Sequence, residues 1–502
     1  MLCVGVVSAD RSILFVLTDE WRANPPDTPE SILNWQREHL TALESLKKRG
    51  INWEQHRIAG SACVASRISL LTSLYPDEHG ATQTDGAAKL AWDPDMRWLD
   101  PSTAPTLGHW LSSKYRPVWF GKWHADHADL LWPGTHESIN SYMSSGEPDP
   151  EMENLYREQD RLAPFGFHDW VGPDPHGRSA MNSGTSSSIT PGGGRDATFT
   201  QHLIEYIQTQ VKPFAAVWAP VGTHDTATFG DVTRHMDSWS YPIDPTIPRP
   251  IPPSITANMS LADKPSTQKS YRDIYPIAFQ PVHDPEEAAA VYYSLMAETD
   301  RRLQMILDAL EKSPHANTTW IVFTSDHGTM LGMWGLWQKF HVANDAVLRV
   351  PMVWVPPRDD ADKFAHGISV QDLTSHIDVL PTLVDLLGLR LKTAEAFITT
   401  RQRGRSRTDL FQEMRTMDMT RQTARFYTSD DPTRGQTPLD WSGTRYYKPV
   451  QGPTVIDAYI VRDTEGRLTK LVHYSDPEGV WRDEWEMYDL DQDPLELVNL
   501  AK

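Results

Sequence analysis

TWIVFTSDHG, residues 319–328, decides the fold. It opens on an apolar run and closes on Ser325-Asp326-His327-Gly328, where charge and imidazole replace hydrophobicity. A continuous apolar run fits a strand buried on both faces of a parallel sheet. The design recurs three times. SILFVL (12–17) runs into Thr18-Asp19-Glu20, PFAAVWAPVGTHD (213–225) ends near His224, and RPVWFGKWHAD (116–126) ends at Lys122 and His124. Helical patterns alternate with these runs. Residues 286–313 place Val291, Leu295, Leu303, Ile306, Leu307 and Leu310 at helical spacing, and HIDVLPTLVDLLGL (376–389) is an apolar helix closed by Gly388. Strands alternating with helices predict an α/β fold with a mainly parallel sheet.

The rhythm breaks in two places. SGTSSSITPGGGRD (183–196) is Gly/Ser-rich and predicts a mobile loop, and YPIDPTIPRPIPPS (241–254) is Pro-rich and extended. In an α/β enzyme both are candidates to cover a substrate. Residues 401–425 read as a polar, basic connector between a main unit (1–400) and a smaller last unit (426–502). In that unit AYIVRDTEGRLTKLVHY (458–474) predicts a hairpin around Glu465-Gly466.

Composition narrows the function. The net charge of −20 and the lack of a basic stripe disfavour nucleic acid and anionic membranes. No apolar run reaches transmembrane length. MLCVGVVSA is short, lacks a basic leader and meets Asp10-Arg11 at once, so a cytoplasmic chain is expected. The sequons at Asn258 and Asn317 matter only in a secreted chain. Two cysteines, Cys3 and Cys63, make no disulfide framework.

Ligands of open parallel sheets bind outside the carboxyl ends of the strands. Asp19, Glu20, Lys122, His124, His224, Asp326 and His327 all fall there. Asp19 with Asp326-His327 offers two hard oxygens and an imidazole, a set suited to Ca2+, with Mn2+ or Mg2+ as alternatives. Aspartates at strand ends also cap helices, so it is the coincidence of several polar ends in one sheet that points to a metal. Cys63 is expected at the N-terminus of a helix containing Arg67. Four residues apart, the two share a face, so a nucleophile position and a guanidinium would meet one bound oxyanion. Arg67, Lys122 and Lys339 with a cation would make the positive pocket that the chain's overall charge denies.

These residues, taken in order, resemble the formylglycine-dependent sulfatases of the alkaline phosphatase superfamily. LFVLTDEWR (14–22), CVASRISLLTSLYP (63–76), GKWH (121–124), DRRLQMILDALE (300–311) with TTWIVFTSDHG and Lys339, DLTSHIDVLPTLVDLLGL (372–389) and WEMYDLDQDPLELVNLA (485–501) carry the likeness over nearly the whole chain. The resemblance implies an alkaline-phosphatase-like α/β fold: a large, mostly parallel sheet flanked by helices, with a smaller C-terminal α+β unit containing an antiparallel sheet. It implies that Cys63 is converted to Cα-formylglycine by a maturation enzyme and attacks a small-molecule sulfate ester. Arg67 and Lys122 would stabilise the sulfuryl oxygens, His224 and Lys339 would serve the leaving oxygen, and His124 would remove a proton. Asp19, Glu20, Asp326, His327 and Cys63 would bind the metal. The sequence departs from the family pattern at Ala65, where Pro is usual, at Glu20, and at Thr84, where choline sulfatases have Asn. SDHG leans toward the branch of choline sulfatases and phosphonate monoester hydrolases. A phosphonate or phosphate ester hydrolase and a non-catalytic sulfate-ligand binder are therefore the competing readings, and the Lys122-x-His124 pair favours the sulfatase.

Overall fold

The computed structural model describes residues 11–175, 179–249, 251–257, 259–391, 401–412 and 422–501. Residues 1–10 with Cys3, the sequon at Asn258 and residues 413–421 of the expected connector lie outside them. Seven strands form the main sheet: β1 (Ser12–Thr18), β2 (Ile51–Arg57), β3 (Val118–Gly121), β4 (Ala215–Ala219), β5 (Thr319–Ser325), β6 (Met352–Val355) and β7 (Ile368–Ser375), in the order β3-β4-β1-β5-β6-β2-β7. All neighbouring pairs are parallel except the two made by β6. The four apolar runs read from the sequence are thus adjacent strands, as a mostly parallel sheet requires.

Every residue of β1 and of β5 is buried. Period-two alternation sends Leu14 and Val16 into one apolar layer and Ile13, Phe15 and Leu17 into the other. Burying one such side chain contributes about 1.5–3 kcal/mol, so the centre of the sheet is a main source of the fold's stability. The Pro285–Glu311 helix packs on the first layer, with Asp284 capping Glu287 N–H at 2.8 Å. The Val379–Leu387 helix packs on the second and ends at Gly388 in the left-handed conformation. Among the described residues, no helix is long and apolar enough to cross a membrane.

The four remaining strands, β8 (Gln422–Thr428), β9 (Val455–Arg462), β10 (Leu468–Ser475) and β11 (Glu484–Asp489), form a separate antiparallel sheet in the order β11-β10-β9-β8. The expected hairpin is β9–β10. β8 leans on the chain just before Cys63: Tyr427 N–H donates to Ala59 carbonyl at 3.0 Å, and the Thr428 hydroxyl to Ser61 carbonyl at 2.6 Å.

One loop expectation is corrected. The Gly/Ser stretch is not a mobile cover: residues 182–187 are buried. The Asp225 carboxylate accepts the N–H groups of Gly184, Thr185 and Ser186 at 2.6–3.2 Å, and Asp196 accepts those of Val221 and Gly222. Here glycine permits close approach, since a Cβ on Gly194 would stand 2.2 Å from Gly184 carbonyl.

Candidate active site

Thr18 and Ser325 are partners in the β1–β5 register, so the residues that follow them, Asp19 and Asp326, emerge side by side. Asp326 N–H donates to Thr18 carbonyl at 3.0 Å, and Glu20 N–H to Asp326 Oδ1 at 3.1 Å. Glu20 leaves β1 with φ of 63°, its carbonyl taken by the Tyr292 hydroxyl. β3 ends at Gly121, and Lys122 and His124 follow. β4 leads into a turn, Gly222–Thr228, that carries Thr223 and His224. The Thr223 hydroxyl donates to Asp19 carbonyl.

Cys63 is the first residue of the Cys63–Thr72 helix, every residue of which is buried. Its Sγ lies 3.1 Å from His327 Nε2, 3.9 Å from Lys122 Nζ and 4.0 Å from Asp19 Oδ1. Burial would push the thiol up; Lys122, Lys339 and His327 override it and hold the thiol well below its ordinary range. Lys122 Nζ also sits 2.7 Å from Asp19 Oδ2. Burial opposes the charge on Asp19, yet Lys122, His224 and Arg67 together hold it below the usual carboxylate range, whereas burial and then the Asp19 charge push Asp326 up.

Asp19, Cys63, Asp326 and His327 place four donor atoms within 4.8 Å of one another, all buried. His327 Nδ1 is held by Gly328 carbonyl at 2.9 Å, which aims Nε2 at the cluster. Two carboxylates, an imidazole and a sulfur position fit a divalent cation, and a cation would relieve the repulsion between Asp19 and Asp326. Glu20 sits in a second group with Asp19 and His224, and its Oε2 lies 3.1 Å from Lys339 Nζ.

A cavity of about 160 Å3 opens over Cys63. Lys122, His124, His224 and Lys339 line it, with Thr84, Asp85 and the rings of Phe279 and Phe340. Arg67 does not line it. The sequence reading aimed this guanidinium at the oxyanion; the helix instead buries it, with Nε on Asp326 Oδ2 at 2.9 Å, Nη1 on Lys122 carbonyl at 2.7 Å and Nη2 3.4 Å from Asp19. The helix periodicity brought Arg67 to the Cys63 face, and the two carboxylates there capture it.

The sequence reading missed two carboxylates. Asp85 Oδ1 lies 2.8 Å from His124 Nε2. Burial and Lys122 oppose a proton on His124, yet Asp85 and then Cys63 push it up to about 9. Asp174 accepts the backbone N–H groups of Trp123 at 2.9 Å and His124 at 2.7 Å, and His124 has φ of 49°. Asp174 thereby clamps the turn that presents both Lys122 and His124. Its setting in Gly172-Pro173-Asp174-Pro175 was a legible signal for a rigid turn. Asp174→Ala is expected to keep the fold and lower kcat about 100-fold, since an ångström of misplacement costs that much. Steady-state kinetics beside a thermal melt check it, and wild-type kcat would remove the clamp.

An open α/β sheet with carboxylates, lysines and a helix-borne cysteine at its strand ends defines an alkaline-phosphatase-like hydrolase of anionic esters. The chain belongs to the sulfatase family, the sulfuric ester hydrolases: the profile of the family described as Sulfatase matches residues 11–389. It is similar to the uncharacterized sulfatase YidJ of Escherichia coli, 23% identical over 75% of this chain and 68% of that protein. It is similar to the choline-sulfatase of Rhizobium meliloti, 28% identical over 42% of this chain and 32% of that one. The match thus spans about a third of the choline-sulfatase. Among solved structures, BT1596, a 2-O GAG sulfatase, superposes with a TM-score of 0.64 at 17% identity, covering 98% of this chain and 88% of that one. The phosphonate monoester hydrolase of Agrobacterium radiobacter gives 0.60, also at 17%, covering 98% and 91%. Both show the same fold.

Proposed function

We propose that this sulfatase hydrolyses a small-molecule sulfate monoester at Cys63, and the observation that carries the reading is the cationic cavity built over that sulfur within an acidic molecule. A formylglycine made from Cys63 by a maturation enzyme supplies a hydroxyl nucleophile in its hydrated form. A divalent cation, Ca2+ by the hardness of the two carboxylates, supplies Lewis acidity when held by Asp19, Asp326, His327 and position 63.

The chain's own residues do the rest. Lys122 and Lys339 flank the sulfur position and balance charge on the sulfuryl oxygens. Arg67 acts through Asp326 and Asp19, which it holds in place, so it is a positioning residue. Lys339, steadied by Glu20, and His224 face the leaving oxygen from the cavity wall. His124 has Nε2 committed to Asp85 and its other ring nitrogen engaged by Cys63, so in its deprotonated fraction Nδ1 is the atom that takes a proton from the residue at position 63.

The test compares 4-nitrophenyl sulfate with 4-nitrophenyl phenylphosphonate on the matured chain, with mass spectrometry of the Cys63 peptide. Faster turnover of the sulfate and a formylglycine mass at position 63 are expected. Much faster turnover of the phosphonate would move the protein to the phosphonate hydrolases. An intact thiol throughout, with neither ester cleaved, would make it a non-catalytic binder.

A further inference from the structure

The cavity over Cys63 is walled by the main unit: among the described residues, none of 422–501 lines it. Yet consecutive residues of the C-terminal unit, Thr428-Ser429-Asp430-Asp431-Pro432, reach each of the three segments that carry Cys63, Asp85 and Lys339. The Thr428 hydroxyl donates to the carbonyl of Ser61, two residues before Cys63, at 2.6 Å. Ser429 carbonyl accepts Gln83 Nε2–H at 2.8 Å, Asp430 Oδ1 accepts Thr84 N–H at 3.1 Å, and Pro432 carbonyl accepts Ala88 N–H at 3.0 Å. Asp431 Oδ1 lies 3.3 Å from Nε2 of His341, two residues after Lys339.

Thr428, Asp430 and Asp431 are all buried, and a buried carboxylate is costly unless it is paired. Asp430 has Lys89 Nζ at 3.7 Å, and the same ammonium donates to Asp431 carbonyl at 3.1 Å. Thr433 fixes Asp431, its N–H and hydroxyl both donating to Oδ1, at 3.0 and 2.6 Å. What these carboxylates hold bears on the chemistry. Thr84 precedes Asp85, whose Oδ1 lies 2.8 Å from His124 Nε2, and residues 84–87 all line the cavity. That loop runs between the Pro76–His79 and Leu107–Leu111 helices with no strand of either sheet in it, so its place is set by what it touches. Lys339 stands in a turn where Gln338 and His341 are both left-handed, with φ of 58° and 60°. A residue with a side chain adopts that conformation at a cost, so contacts from outside must hold the turn. The Ser61 hydroxyl, donating to Lys339 carbonyl at 3.2 Å, is one such contact, and Asp431 at His341 is another. Both lead back to residues 428–431.

Resting on the sulfatase reading, we propose that Asp430 and Asp431 are positioning residues: Asp430 sets Asp85 against His124, and Asp431 sets Lys339 at the leaving oxygen. The C-terminal unit is then a template. It fixes the distance between the two sides of the cavity without placing a side chain in it, and an ångström of error there costs about 100-fold in rate.

The test measures kcat of the matured full chain on 4-nitrophenyl sulfate, at a temperature where a thermal melt shows each variant folded. Asp430→Ala is expected to lower kcat at least tenfold. Asp430→Asn removes the same charge from beside Lys89 but keeps an amide oxygen for Thr84 N–H, and it is expected to return kcat to within threefold of wild type. Should Lys89, deprived of that carboxylate, unfold Asp430→Ala, the two are compared in a Lys89→Met background. Beside Asp85→Asn, Asp430→Ala is expected to cost less than twofold more, because the contact it serves is already gone; beside Lys339→Ala it keeps its full cost. Asp431→Ala is expected to behave in the opposite sense, with at least a tenfold loss alone, less than twofold beside Lys339→Ala and its full cost beside Asp85→Asn. Amide hydrogen exchange gives a readout independent of turnover, faster at residues 83–89 in Asp430→Ala and at 337–342 in Asp431→Ala. Wild-type kcat in both alanine variants, or losses that multiply in full in every background, would overturn the inference and leave the sulfatase reading standing. A wild-type chain that cleaves no sulfate ester overturns that reading first and takes the inference with it.

Discussion

Cys63→Ser lowers kcat/KM for 4-nitrophenyl sulfate by at least about 10^4-fold, the loss typical of removing a nucleophile. The variant separates chemistry from structure. A hydroxyl fits where the thiol sat, at the head of a wholly buried helix, and His327 Nε2 at 3.1 Å from the sulfur remains in place to bond it. Stability should therefore change by about 1 kcal/mol or less. Activity should collapse for two reasons. On the proposed mechanism maturation would act on the cysteine, and an unmodified serine would lack the second hydroxyl that lets sulfate leave with the aldehyde regenerated. Stoichiometric sulfation of the introduced serine without turnover, read by intact mass, is the signature expected if the rest of the site is competent. Retention of a tenth of the wild-type rate would mean that position 63 is not the nucleophile.

How much of this site was legible follows from how each residue is held. Asp19, Lys122, His224 and Asp326 stand where an apolar run stops, so a one-dimensional pattern locates them and a parallel sheet brings them together. Cys63 and Arg67 were placed on one helix by spacing alone. What Arg67 touches was not legible, because Asp326 lies 259 positions away in the chain. Asp85 and Asp174 sit on loops with no periodicity, and their partners, His124 and the backbone of residues 123–124, are set by tertiary packing. The Gly/Ser loop misled for a related reason. Composition reports conformational freedom in the unfolded chain, but the Asp225 carboxylate, outside that stretch, gathers three of its N–H groups and fixes it. The docking of β8 beside Ala59 was equally hidden, since a strand edge carries no sign of which non-local segment will pair with it.

Asp326→Asn is expected to abolish metal binding and activity together. Asp326 Oδ2 accepts Arg67 Nε–H at 2.9 Å, and Oδ1 accepts the N–H groups of Glu20 and His327 at 3.1 and 2.8 Å. An amide group cannot satisfy both sides. Whichever way it turns, its NH2 meets a donor. Arg67, fully buried, also loses the closer of its two carboxylates and keeps only Asp19 at 3.4 Å. Breaking a buried pair in this way costs about 3 kcal/mol. The wild-type cluster carries its own tension, because Asp326 is pushed up by burial and by Asp19 beside it. A divalent cation held by Asp19, Asp326 and His327 would relieve that tension. Binding to the folded state alone stabilises it by about 2.7 kcal/mol at a ligand concentration 100 times Kd. Chelation should therefore lower the wild-type Tm, and added Ca2+ should restore it. The Asp326→Asn protein should melt lower than wild type and show no response to either treatment, with kcat/KM down at least about 100-fold. A variant that melts like wild type and still answers to chelator and Ca2+ would place the cation elsewhere and leave the paired carboxylates with a purely structural task.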